Sequence, residues 1–256
     1  MKEKKDIIFA SDLDNTLLRS RRYKRAGDIC VEHLQGEEQG FMTPITVERL
    51  RAVCQKMHFI PVTTRSVEQY KRVKWPKGTE PIYAVTTNGA VLLQEGKEDA
   101  KWQKAHFDTI ALAREEIARC YALYADDPRF IRCRIVDGSY LFCYAADGID
   151  VQIAASKCQA ATSLRVEPSG RKIYFFPQGL TKGAALLALS KRFLARKIYA
   201  AGDSVIDVPL LLFADHAFAG ADLAIKDAAH IRSHSGKGIF AEWLLAEILH
   251  LVATSN

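Results

Sequence analysis

The sequence predicts an α/β fold in which a parallel sheet is interrupted by an inserted α+β module. Three observations carry this reading. Short apolar runs that end in a polar residue alternate with stretches of helical spacing, the pattern of parallel strands joined by right-handed crossovers. The ends of those runs collect acids, a hydroxyl and an amide. The middle of the chain drops the alternation for closely spaced strand-like runs separated by turn signals.

Residues 6–12, Asp-Ile-Ile-Phe-Ala-Ser-Asp, read as a buried strand, because a parallel strand covered on both faces is nearly continuous in apolar residues. Residues 44–57 place Ile45, Val47, Leu50, Val53, Cys54 and Met57 at helical spacing, with Thr43 or Thr46 available as cap. Strands follow at 58–64 and 81–88. Beyond the middle, 181–195 is a helix carrying Leu186, Leu187, Leu189, Phe193 and Leu194. Residues 197–203 form a strand that closes on Gly202 and Asp203. A last strand is expected at 216–221 and an amphipathic terminal helix at 239–252. In the insert, a helix over about 109–124 precedes strand-like runs at 131–135, 140–144, 149–153 and 172–176, with Asp137-Gly138 and Asp147-Gly148 as turns. Between the first strand and the first helix, residues 29–42 read as a hairpin around Gln35-Gly36-Glu37. A basic cluster of Arg19, Arg21, Arg22, Lys24 and Arg25 comes just before it.

With 256 residues, 48% hydrophobic and 26% charged, the chain can bury a sizeable core, and its composition excludes disordered and collagen-like classes. No window approaches the ~18 apolar residues of a membrane span, so no membrane partner is expected. Six cysteines without a Cys-x-x-Cys pair read as reduced thiols. Ile7 to Ala10 run straight into Ser11 and Asp12, unlike a signal peptide, and the expectation is a soluble, cytoplasmic protein. The seven histidines show no ligand spacing; His230 and His234 lack a third partner and read as surface residues. Trp75, Trp102 and Trp243 read as packing residues. The net charge of +6 and the basic cluster leave nucleic-acid binding as a lesser alternative, since no nucleic-acid motif accompanies them.

The chemistry gathers at the strand ends, where open α/β sheets bind ligands. Asp12, Asp14, Asp203 and Asp207 would together be costly without a cation, and magnesium suits carboxylates supplemented by water and phosphate oxygens. Two carboxylates spaced as Asp12 and Asp14 can face one reacting group with different duties, one attacking and one moving a proton. The Thr63 hydroxyl and the Lys182 ammonium can hold the oxygens of a phosphoryl group, with a helix N-terminus beside Lys182.

Asp12-Leu13-Asp14-Asn15-Thr16 resembles the D-x-D-x-T signature of the haloacid dehalogenase superfamily of phosphohydrolases. Val62-Thr63-Thr64-Arg65 resembles its second motif, with Thr64 where this family usually has glycine. Thr181-Lys182-Gly183 resembles the third, and Gly202-Asp203-Ser204-x-x-Asp207 the fourth. Thr87-Asn88-Gly89-Ala90 is similar to the segment that opens the cap in the Cof-like and sucrose-phosphate-phosphatase-like branch. The match spans nearly the whole chain, with the motifs in order. It implies a Rossmann-like core, about 1–89 and 178–256, and an α+β cap over 90–177.

By this resemblance, Asp12 would form an aspartyl-phosphate and Asp14 would serve the leaving group and then water. Thr63 and Lys182 would hold the phosphoryl oxygens. Asp203, Asp12 and the backbone carbonyl of Asp14 would bind magnesium, with Asp207 supporting them. Thr16, Thr64, Arg65, Asn88, Gly89, Arg132, Arg134 and Lys172 are the candidates for substrate contact. The expected reaction is hydrolysis of a small phosphorylated metabolite such as a sugar phosphate; a phosphotransferase or phosphomutase would use the same site. Which cap side chains share a face depends on strand register.

Overall fold

The computed structural model describes residues 6–226 and 228–254, save for the side chain of His106. The chain forms two units, Met1–Glu98 with Lys182–Asn256, and Asp99–Thr181. The first unit runs through β1 (Ile7–Ser11), β2 (Arg19–Ser20), β3 (Ile29–Leu34), β4 (Glu37–Met42), α1 (Pro44–Lys56), β5 (His58–Pro61), α2 (Val67–Lys71), β6 (Tyr83–Thr86), β7 (Val91–Gln94) and β8 (Lys97–Glu98). The inserted unit adds α3 (Ala100–Tyr124), β9 (Phe130–Val136), β10 (Tyr140–Ala145), α4 (Val151–Gln159), β11 (Arg165–Ser169) and β12 (Lys172–Phe176). The first unit then resumes with α5 (Lys182–Phe193), β13 (Lys197–Gly202), α6 (Val208–Phe213), β14 (His216–Ala219), β15 (Ile231–Ser233) and α7 (Phe240–Thr254).

The main sheet is all parallel, in the order β15-β14-β13-β1-β5. Its central strand β1 is apolar because both its faces are covered: Ile8, Phe9 and Ala10 are fully buried. From β1 the chain goes to β5 on one side, and β13 lies on the other, so β1 sits where the winding reverses. Ligands of open α/β sheets bind at that crevice. Register carries the alignment to the strand ends. Ser11 pairs with Pro61 and with Ala201, and the Asp12 N–H donates to the Ala201 carbonyl at 2.9 Å. The helix expected at 44–57 is α1, capped by the Thr43 hydroxyl, which accepts from the Thr46 N–H at 3.1 Å. The same hydroxyl donates to Glu242 of α7 at 2.6 Å, and Arg49 donates to the Glu242 carbonyl. Buried Val47, Leu50 and Val53 supply the apolar stripe of α1.

Several expectations need correction. The strand expected at 81–88 does not join the main ladder. It makes a single parallel bridge, Val85 with Val62 just past the end of β5, and turns back into the antiparallel sheet β6-β7-β8. That hairpin holds residues 90–98 in the first unit, so the insert runs from Asp99 to Thr181 rather than 90–177. Residues 149–153 are not a strand. Asp150 caps α4 by accepting from the Ile153 N–H at 3.0 Å, and the buried positions Ala154, Ala155 and Cys158 continue at helical spacing. Val151 and Ile153 alone fit either period, and the cap decides between them. Helix α3 starts at Ala100, with Asp99 as cap, well before 109. Strands β2, β7, β8, β11 and β15 and helix α2 are additional to the elements the sequence predicts. His234 is buried rather than on the surface, with its ring against Phe240 and Trp243.

The 29–42 hairpin is present as β3 and β4. Its basic approach is largely paired with acids of the same hairpin region: Arg19 with Asp28, Arg21 with Glu37 and Lys24 with Glu38. Among the described residues no helix is long and apolar enough to cross a membrane.

The inserted unit is an antiparallel sheet, β11-β12-β10-β9. One face, with Leu141, Cys143, Ile173 and Phe175, packs on Ile117, Cys120 and Tyr124 of α3 and Ala154, Ala155 and Cys158 of α4. Register puts Arg132 and Lys172 on either side of Tyr144, and Arg134 beside Phe142. With side chains alternating across the sheet, these three cations share the other face with Phe142, Tyr144 and Tyr174.

Candidate active site

The first motif is a turn that starts where β1 stops. Asp12 is buried, Asn15 adopts a left-handed φ of 61° that asparagine tolerates, and the Leu17 and Leu18 N–H groups return to the Leu13 carbonyl. Asp12 therefore faces the ends of the neighbouring strands. Asp12, Asp203 and Asp207 bring carboxylate oxygens within 4.8 Å of one another. Lys182, the first residue of α5 and almost fully buried, donates from Nζ to Asp12 Oδ1 and Asp207 Oδ1, both at 2.5 Å.

Asp207 is saturated. Its Oδ2 accepts from the Asp203 N–H at 3.1 Å, the Ser204 N–H at 3.0 Å and the Ser204 hydroxyl at 2.8 Å, while Oδ1 takes Lys182. It braces the loop and the lysine. Two glycines make this possible. A Cβ at Gly202 would lie 2.3 Å from Asp207 Cβ, and one at Gly183 would lie 2.3 Å from the Pro209 carbonyl oxygen. The glycines of the third and fourth motifs thus let α5, α6 and the 203–207 loop close around Lys182. Thr16, expected to contact substrate, is buried and donates to Asp203 Oδ1 at 3.1 Å. It orients an acid.

Asp14 stands apart from the acid cluster. Its carboxylate is gripped by Arg65, Nε to Oδ2 at 2.9 Å and Nη2 to Oδ1 at 2.7 Å. Arg65 Nη2 also meets Glu32 of β3 at 2.9 Å, and Glu32 takes Arg72 Nε at 3.2 Å. Glu32 is 4% exposed; nothing in its sequence neighbourhood marks it, since its partners lie 33 and 40 residues away. Gly40 opposite it leaves the room, for a Cβ there would sit 3.1 Å from Glu32 Cβ. Although burial works against its charge, Asp14 and Glu32 hold Arg65 firmly protonated.

Thr63 is fully buried, and its hydroxyl accepts from the Arg65 N–H at 3.2 Å. Thr64 is half-buried beside it. Asn88 and Gly89, expected at the substrate, are fully buried. The Asn88 N–H donates to the Thr63 carbonyl at 2.9 Å and the Thr87 N–H to the Arg65 carbonyl at 2.8 Å. This turn holds Thr87 and Asn88 at φ of 55° and 57°, costly for a β-branched threonine, and it clamps the second-motif loop from behind. Arg132, Arg134 and Lys172 belong to the inserted unit, on the face described above.

The electrostatics favour a cation. Burial pushes the Asp12 carboxyl well above the usual range; Lys182 opposes this, while Asp207, Asp203 and Asp14 add to it. Burial and Asp207 push Asp203 up to about 6, against Lys182, Thr16 and Asn15. Despite its burial, Lys182 is held charged by Asp12 and Asp207. Three carboxylates with one ammonium leave two negative charges, which one divalent ion would neutralise. The donors are all oxygen, as magnesium prefers. With Asp207 occupied, Asp12 and Asp203 are the carboxylates that would hold it. Magnesium bound there would shield the negative charge of a phosphoryl group.

This arrangement defines a class of fold with solved representatives. The sucrose-phosphatase from Synechocystis, solved with sucrose and phosphate, superposes with a TM-score of 0.69 at 15% identity, over 96% of this chain and 98% of that one. A haloacid dehalogenase-like hydrolase from B. subtilis gives 0.59 at 16% identity, over 93% and 98%. The C-terminal domain of trehalose-6-phosphate phosphatase from C. albicans gives 0.60 at 14%, over 96% and 93%. The chain has the fold of the haloacid dehalogenase-like phosphatases over 93–96% of its length. No family model matches the sequence, and no curated protein does.

Proposed function

We propose that this protein is a magnesium-dependent phosphatase of the haloacid dehalogenase superfamily, acting on a small phosphate monoester such as a sugar phosphate. The observation that carries the reading is the buried Asp12–Lys182–Asp207 system beside Asp203. It gathers three carboxylates and one ammonium at the strand ends, a net negative charge that a divalent cation would balance.

In this mechanism Asp12 attacks phosphorus and the phosphoryl group passes to its carboxylate. Lys182 and Thr63 steady the equatorial oxygens, and the lysine offsets charge as it spreads over them. Asp14, once it has left Arg65 and taken up a proton from solvent, gives that proton to the departing alkoxide and then takes one from the water that hydrolyses the aspartyl-phosphate. For this it must exchange its grip on Arg65 for the reacting oxygen, so Arg65 sets where Asp14 rests between steps. Asp207 and Thr16 position Lys182 and Asp203. The solved structures whose names include sucrose-phosphatase and trehalose-6-phosphate phosphatase support a sugar phosphate as substrate. The Arg132, Arg134, Lys172 and Tyr144 face of the inserted unit offers the donors and aromatic surface that small polar ligands use.

Phosphate release from p-nitrophenyl phosphate and a panel of sugar phosphates, with and without magnesium, is the test. Turnover should require magnesium and fall by at least ~1000-fold in Asp12→Asn, as loss of a nucleophile demands. Undiminished turnover in that variant would overturn the assignment.

A further inference from the structure

A second cluster of ligating side chains lies on the β3–β4 hairpin, outside the site just described. Cys30, His33 and Glu38 bring a sulfur, a ring nitrogen and a carboxylate oxygen within 4.8 Å of one another. Residues three apart on a regular strand point to opposite faces. Here the β3–β4 register shifts between Cys30 and Glu32 and again between Glu32 and His33. This bulge turns two successive residues, Val31 and Glu32, inward, both buried, and leaves Cys30 and His33 together on the outer side. The partner strand puts Glu38 directly opposite His33. The sequence pattern is only Cys-x-x-His, and the third donor comes from across the turn.

The spacing suits one metal ion. Zinc takes sulfur at about 2.3 Å and imidazole nitrogen at about 2.0–2.1 Å in a tetrahedron, which sets the sulfur–nitrogen edge at roughly 3.6 Å. Cys30 Sγ lies 3.7 Å from His33 Nε2 and 3.9 Å from Nδ1. A thiolate and a carboxylate would balance the charge of a divalent ion. Two existing contacts compete: the Cys30 thiol donates to the Glu32 carbonyl at 3.3 Å, a bond given up when the thiol loses its proton, and Lys24 sits on Glu38 Oε2, an exposed and therefore weak pair that leaves Oε1. Sulfur, nitrogen and oxygen together select a zinc-class ion over magnesium.

We infer that Cys30, His33 and Glu38 form a binding site for a zinc-class divalent ion, with an open fourth position for water. The ion would tie β3 to β4 on the outer face of the bulge. On its inner face Glu32 holds Arg65, and through it Asp14, so the site would stiffen the strand that anchors the rest position of Asp14.

The full-length protein, stripped of metal and then held in excess magnesium to fill the acid cluster, is titrated with Co2+ and with Zn2+. One equivalent should bind, Co2+ giving a thiolate-to-metal charge-transfer band. Cys30→Ala should abolish the band. His33→Ala, at an exposed position that leaves the fold intact, should weaken binding by at least the roughly 10–100-fold that loss of even an outer partner costs. Absence of a stoichiometric site in excess magnesium, a band that persists in Cys30→Ala, or unchanged affinity in His33→Ala would each overturn the inference. Metal binding is read directly, so this outcome is independent of whether the protein hydrolyses phosphate esters.

Discussion

Lys182 has no solvent to fall back on: among the described residues its charge rests on Asp12 and Asp207, and Asp207 in turn accepts from the Asp203 and Ser204 N–H groups and the Ser204 hydroxyl as well. Such a site tolerates little at its glycines. Gly202→Ala forces a methyl to within 2.3 Å of Asp207 Cβ, so the 203–207 loop must shift. Overpacking of this kind costs about 1–3 kcal/mol, which urea unfolding will read as a lower midpoint at unchanged slope. The magnesium-dependent activity proposed above should fall by more than a loss of folded protein explains, because the shift moves Asp203. Arg65 is the second sensitive residue. Arg65→Ala leaves Glu32 buried with only Arg72. Uncovering half of a buried pair costs on the order of 3 kcal/mol, and the variant should unfold at a correspondingly lower urea concentration. Glu32→Gln with Arg65 intact should cost less, since it strands no buried carboxylate.

Elements differ in how openly they announce themselves. The strand β1 and the helix α1 follow from local chemistry, a continuous apolar run in one and a capped apolar stripe in the other. The strand expected at 149–153 failed because five residues cannot distinguish two periods, whereas the Asp150 cap and the continuation to Cys158 can. Helix α3 is fastened to the loop after α4 by Glu116, which binds Arg119 at 2.6 and 2.7 Å, the Thr162 hydroxyl at 2.5 Å and the Ser163 N–H at 3.3 Å. Arg119 and Thr162 pull the Glu116 carboxyl down to about 2 from an ordinary 4.5. A carboxyl lowered by folding stabilises the folded form above its unfolded value, and that contribution is lost as the pH falls through the folded one. The Glu116 contribution should therefore be complete above about pH 5 and vanish between about 4.5 and 2. Its Arg119 partner is half exposed, which limits the contribution to about 1 kcal/mol or less. Comparing the wild type with Glu116→Gln across this range by thermal unfolding should show their difference shrinking toward zero at low pH.

At the scale of the whole molecule, the inserted unit carries its own four-stranded sheet and its own buried cluster, from Ile117 to Phe175. Residues 99–181 expressed alone should fold, showing mixed α/β circular dichroism and one cooperative thermal transition; a non-cooperative melt would show that the rest of the chain is needed. The start of that unit lies nine residues from where the sequence places it, because 90–98 is hairpin-like sequence that pairs back onto β6 instead of onto the insert.

The alternation of strands and helices and the order of the four motifs are written in the chain, as are the candidates Asp12, Lys182, Asp203 and Asp207, which the fold brings together. Those signals are local: an acid at the end of an apolar run or a lysine at a helix start is written within a few positions. That Thr16 serves Asp203, that Asn88 is a buried clamp, that Arg65 joins Asp14 to Glu32, and that a bulge gathers Cys30 and His33 with Glu38 emerges from the folded arrangement. Each of these depends on strand register or on contacts between distant segments, and such contacts leave no periodic trace along the chain.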